Sequence, residues 1–151
     1  MPALLLPLVH AAATWGMAGL IWFVQIVHYP LFAAVDEPSF VAYERAHQQR
    51  TTWVVMPLML VELATAAALA FRRDAAWSHS WAVAGLVMLG SIWCSTFFVQ
   101  VPLHETLGGG FSAAAHRRLV ATNWWRTAAW TARGVVAAAL LWQACAKGAA
   151  S

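Results

Sequence analysis

Four of the six histidines, His28, His47, His104 and His116, fall where an antiparallel threading of the chain would gather them at one end. Glu44 precedes His47 by three residues, the Glu-x-x-His spacing by which one helix offers a carboxylate and an imidazole to the same metal in di-iron bundles. Glu105 follows His104 directly. Imidazole with carboxylate suits iron, copper or zinc, and His28 and His104 could alternatively serve as axial ligands of a haem. Gln25 lies three residues before His28 and Gln100 four before His104, so each pair shares a helix face. The plain alternative is that these histidines are solvated or simply hydrogen-bonded within helices. His10 and His79 fall toward the opposite end and are assigned no role.

A second pair stands out by depth. Glu62 is about 12 residues and Arg133 about 14 residues from the histidine-rich end of their hydrophobic segments, or ~18 to 21 Å at 1.5 Å per residue. An isolated charge that deep in an apolar layer is unfavourable, so mutual pairing is the expected solution. Its plain role is a brace between helices; its chemical role would be proton relay or recognition of an acidic substrate.

The elements that must position these residues follow from where charge is missing. No Lys, Arg, Asp or Glu occurs between Met1 and Val35 or between Ala75 and His104. Each gap exceeds the roughly 20 residues that cross a hydrocarbon core. Between Arg50 and Arg72 only Glu62 is charged, and between Arg118 and Lys147 only Arg126 and Arg133. With 62% apolar and 10% charged residues, a soluble domain is excluded on composition. The expected fold is all-α, one four-helix transmembrane domain over residues 1–151, with spans near 8–34, 50–71, 79–106 and 118–145. Residues 35–49, with Asp36 or Ser39 as a helix cap, would connect the first two and hold a short surface helix. Residues 72–78 would form a turn, and the glycine-rich 107–117 would stop the third helix. The first segment has no basic leader and is too long for a signal-peptide core, so it is expected to be retained.

The formal charge of +3 would suggest nucleic acid in a soluble chain. Here the basic residues flank spans, where they set topology or meet lipid headgroups, and no nucleic-acid partner is expected. Trp53, Trp124 and Trp125 near one face and Trp77, Trp81 and Trp142 near the other read as aromatic belts. Cys94 and Cys145 fall ~20 Å or more apart in depth at 1.5 Å per residue, too far for a disulfide.

The chain also echoes itself. Phe23-Val24-Gln25-Ile26 ahead of His28 resembles Phe98-Val99-Gln100-Val101 ahead of His104, and Phe40 with His47 is matched by Phe111 with His116. Two parallel two-helix repeats related by an axis along the membrane normal would place a site near that axis; chance likeness between Phe/Val-rich helices is the alternative.

The run Gln100-Val101-Pro102-Leu103-His104, followed by Asn123-Trp124-Trp125-Arg126-Thr127, Trp130 and Arg133, resembles the anthrone-oxygenase-like family of small four-helix membrane proteins. Gln100 and His104 stand where that family carries asparagine. The resemblance covers the second half better than the first. It implies a four-helix membrane fold and, more distantly, oxygenation of a flat lipophilic aromatic.

Two functions are therefore expected of the sequence. One is a membrane oxidoreductase using a His-ligated transition metal or haem on a lipophilic substrate from the bilayer. The other is a non-enzymatic membrane protein that binds or passes a small molecule or partner through a polar cavity. Oligomers are compatible with both. Both termini are expected on one side, leaning cytoplasmic because Arg72 and Arg73 flank spans in a short turn.

Overall fold

The computed structural model describes residues 2–72 and 76–149. Four antiparallel helical rods are packed in a ring, each beside its neighbours in sequence and the fourth closing against the first. The first rod, α1, runs Pro2–Phe23 and continues through a π turn, Val24–His28, a short α segment, Tyr29–Leu31, and a 3-10 turn, Phe32–Ala34. The second, α2, is the unbroken helix Glu37–Phe71. The third, α3, runs His79–Ser95, passes through a π turn at Thr96–Gln100 and ends as Val101–Gly108. The fourth, α4, spans Ala113–Ala149.

The connection expected at 35–49 is almost entirely helix. Only Val35 and Asp36 separate the two rods, because Glu44, Arg45, Ala46, Gln48 and Gln49 are good helix formers with no breaker among them. No separate surface helix exists there; its residues are the first turns of α2. Asp36 stands at the N-cap but neither it nor Ser39 makes a side-chain cap bond, because the Ser39 hydroxyl donates to the Asp36 carboxylate at 2.8 Å instead. At the other connection α3 extends to Gly108 and α4 starts at Ala113, leaving a tight link in which Gly110 takes φ 140°, a backbone conformation suited to glycine. Part of the expected turn 72–78 lies outside the described residues.

Three rods, Leu4–Ala34, Glu37–Phe71 and His79–Gly108, are long and apolar enough to cross a membrane. The fourth is not among them: Asn123, Arg126, Arg133, Gln143 and Lys147 dilute its apolar character. The polarity is directed, however. His116, Asn123, Arg126, Thr127 and Arg133 are buried in the bundle, at the three- and four-residue spacing of one helix face.

Burial is the reverse of a water-soluble protein. Glu44, Glu62, Asn123, Thr14 and Thr127 are fully buried, whereas Phe71, Phe98, Trp53, Trp142 and Val87 are each more than two-thirds exposed. Large outward apolar side chains around a polar interior are what a lipid environment asks of a bundle. Five of the six tryptophans assigned to the belts, at 53, 81, 124, 125 and 142, do face outward. Trp77 does not: it folds under the bundle and donates to the Leu69 carbonyl at 3.1 Å. Cys94 and Cys145 are free and exposed.

Candidate functional site

The lower-lying polar cluster joins α2, α3 and α4 at one depth. Arg133 directs Nε and one terminal nitrogen to Glu62 Oε1 at 3.0 and 2.9 Å, and the other terminal nitrogen to the Gly85 carbonyl. Trp130 completes the carboxylate, donating to Glu62 Oε2 at 3.0 Å. Every polar atom of the pair is used. His10, assigned no role from the sequence, is buried at this end and meets the Thr65 hydroxyl at 3.0 Å.

Toward the other end the polar groups surround a cavity of about 190 Å³ between α1, α2 and α3, closed on the fourth side by Arg126. Three of the four singled-out histidines gather here. The His28 and His47 rings lie 4.7 Å apart and those of His47 and His104 5.1 Å apart. His28 Nε2 and the Thr51 hydroxyl meet His47 Nδ1 at 2.8 and 3.0 Å. His104 joins two partners: Nδ1 meets Glu44 Oε1 at 2.6 Å and Nε2 meets the Tyr29 hydroxyl at 3.0 Å. An ionised carboxylate only accepts, so the Nδ1 proton points to Glu44 and Nε2 is left to accept from Tyr29. The result is a carboxylate, an imidazole and a phenol in series, with the phenol in the cavity wall. Gln48 steadies the near end, donating to Glu44 Oε1 and to the His104 carbonyl, both at 3.1 Å.

His116 and Glu105 do not join. His116 donates from Nε2 to the Tyr29 carbonyl at 2.8 Å, where α1 is tightening toward its 3-10 end and the same carbonyl also accepts from the Phe32 backbone N–H. Glu105 is exposed and takes no part in these bonds. The expected metal centre is accordingly not assembled: among the described residues no group of three or more His, Cys, Asp or Glu is placed to hold a metal ion. His28 Nε2 and His47 Nδ1 are turned toward one another, both nitrogens of His104 toward Glu44 and Tyr29, and His116 Nε2 toward backbone.

The glutamines of the sequence echo both turn inward beside the π turns and both reach α4. Gln25 donates to the Val120 carbonyl at 3.2 Å and accepts from Asn123 at 2.9 Å; Asn123 in turn accepts from Arg126 at 3.1 Å. Gln100 donates to the Thr122 hydroxyl at 3.0 Å. A strict two-fold repeat would send one glutamine to α2, so at this level the halves are not equivalent. Nearer the axis the echo is closer: Tyr29 and His104, offset by 75 residues like the two glutamines, bond each other, and Phe40 packs on Phe111 with ring centres 5.0 Å apart.

Tyr29, Gln48, Thr51, Asn123 and Arg126 were not singled out as site residues by sequence. The signal available was spacing: Asn123, Arg126, Trp130 and Arg133 recur at three or four residues, marking one polar stripe along α4. No protein-family model, no curated protein and no solved structure matches this chain.

Proposed function

We propose that the chain is a four-span membrane protein, α4 included, that holds a small lipophilic molecule in the cavity and exchanges a proton with it through Tyr29, His104 and Glu44. The observation that carries this reading is the Glu44–His104–Tyr29 series ending in the cavity wall. Such an arrangement lets Tyr29 pass its proton to His104 as it takes one from the bound molecule, the imidazolium being stabilised by Glu44. The likeness to anthrone-oxygenase-like proteins at Gln100–His104 and Asn123–Arg133 supports the same membrane-bundle reading and is part of the proposal.

The test uses 2-naphthol, a lipophilic photoacid that emits as naphtholate only when a base accepts its proton. Bound to the protein in phosphatidylcholine nanodiscs, it is expected to emit as naphtholate, and His104→Gln to return the neutral emission without abolishing binding. Identical emission from both proteins would overturn the proton-transfer role. Absence of binding to either would overturn the cavity reading.

An oxidoreductase with a His-bound metal or haem is the second reading, favoured by the convergence of the His28, His47 and His104 rings. It requires those rings to turn away from their present partners. Protein purified without chelator from metal- and haem-replete cells would then carry near-stoichiometric metal or a haem band, lost in His28→Ala or His104→Ala; folded protein free of both would remove this reading.

A further inference from the structure

Within the cavity reading, which this inference rests on, the identity of the ligand's polar end is written in the atoms that have no partner. Three buried side-chain atoms in the cavity-lining residues make no hydrogen bond: Arg126 Nε, Trp93 Nε1 and Gln100 Oε1. Unsatisfied buried polar atoms are rare enough that three around one cavity call for an occupant. The orientation of two of them, Gln100 and Arg126, is fixed by their other bonds. Thr122 gives its own hydroxyl proton to the Arg118 carbonyl at 2.7 Å, so it accepts from Gln100 Nε2 and turns Gln100 Oε1 the other way. Arg126 spends a terminal nitrogen on Asn123, whose amide is oriented by Gln25.

Charge narrows the choice further. Arg126 is 6% exposed, and no carboxylate of the described residues pairs with it. Glu62 is taken by Arg133. Glu44 is held through Oε1 by His104 and Gln48, its Oε2 being without a partner, and forms no ion pair with Arg126, whose guanidinium instead bonds the Tyr29 hydroxyl. The indole face of Trp130, 5.2 Å from the guanidinium, supplies attraction but no anion. The lower arginine of the same helix thus has its counter-ion, and the upper one is left with two donors, its own Nε and Trp93 Nε1, to present to a ligand.

We infer that the cavity takes a lipophilic carboxylate, its oxygens received by Arg126 and Trp93, with Gln100 Oε1 accepting from a ligand hydroxyl or a water. Beyond the polar groups of Tyr29, His47, Gln48, His104 and the threonines, the lining, including Met17, Leu20, Val55 and Met59, is apolar. A volume somewhat above the ~150 Å³ that holds a benzene ring suits a ring or short chain of about ten heavy atoms. The route in is lateral. Thr52 on α2 and Phe97 and Val101 on α3 line the cavity yet are exposed on the outer surface, so the opening lies between two membrane-spanning rods and faces lipid. A longer alkyl tail would extend through it into the bilayer.

The probes are 4-ethylbenzoate and its neutral, equal-sized amide, 4-ethylbenzamide, titrated by calorimetry into protein in phosphatidylcholine nanodiscs, with empty nanodiscs subtracted. The carboxylate is expected to bind at least tenfold more tightly than the amide. In Arg126→Gln that lead should fall to within threefold while amide affinity is retained; Arg126→Lys should keep part of it. Should Arg126→Gln fail to fold, Trp93→Phe, which removes one donor and keeps the ring, is expected to cut the lead severalfold. Equal affinity of the two probes for the native protein would overturn the inference and leave the cavity reading intact. Failure of both probes where 2-naphthol binds would also overturn it, whereas failure of 2-naphthol as well would remove the cavity reading beneath it.

Discussion

Two arginines on one face of α4, seven residues apart, live in opposite circumstances. Arg133 is bound by Glu62, at 2.9 and 3.0 Å, and by the Gly85 carbonyl, and Trp130 donates to the other oxygen of the same carboxylate. Arg126 is also withdrawn from the surface but has an amide, the Tyr29 hydroxyl, an aromatic face and an unused Nε, and no carboxylate. In a low-dielectric interior a fully paired charge is a structural part, and an incompletely paired one is an unfinished interaction. The difference separates a brace from the proposed binding site within two turns of one helix.

The strongest way to break this comparison is at the brace. Glu62→Gln or Arg133→Gln leaves one buried charge stranded, and each should cost roughly 3 to 5 kcal/mol by the behaviour of buried pairs. Unfolding in detergent would show it, and the double variant should lose much less than the two losses added. Additive losses would mean that the pair is not coupled. Next in size is Met59→Trp, which fills the cavity from its buried wall. It should lower 2-naphthol affinity at least tenfold while the bundle keeps its helix content by circular dichroism; unchanged affinity would place the probe elsewhere.

Changes to the histidine end should leave stability comparatively untouched. Glu44→Gln keeps the shape and removes the carboxylate charge that fixes the His104 tautomer, with an expected stability change of about 1 kcal/mol. Nitrogen-15 NMR of His104 should show the Nδ1-protonated form dominant in the native protein and mixed in the variant. The smallest effect is expected at Gly134, where an added Cβ would meet the Trp15 ring at 3.2 Å. Trp15 is half-exposed and free to yield outward, so Gly134→Ala should shift stability by less than ~1 kcal/mol. Topology is checked separately: reporter fusions at Asp74 and Gly109 should report opposite compartments, and the same compartment for both would refute four spans.

Charge spacing made the long rods legible, because a gap of this length between ionisable residues has few meanings. Glu62 and Arg133 could be matched by depth alone, each being an exception within its segment. The helix within 35–49 is illegible for the same reason in reverse: charged residues mark the end of a span but not of a helix, and α2 continues through them. The cavity was illegible because its wall is made of ordinary residues. Tyr29 sits beside the more conspicuous His28, yet only Tyr29 is buried in the bundle. Nothing in residue type separates Arg126 from Arg133; only the partner supplied by another helix does.

The Gly85 carbonyl has a mechanical consequence. By binding Arg133 it pins α3 to α4 at the depth where Glu62 pins α2, so α3 cannot slide along its axis without breaking the Gly85 bond, nor α2 without breaking the two from Arg133 to Glu62. Widening of the lateral opening must then be angular, with the pinned layer as fulcrum and the ends of α2 and α3 as lever arms. Phe97 is 12 residues along α3 from Gly85, ~18 Å at 1.5 Å per residue, so a tilt of only ~10° would move it ~3 Å. The same fastening that holds the bundle together sets the leverage with which it can part.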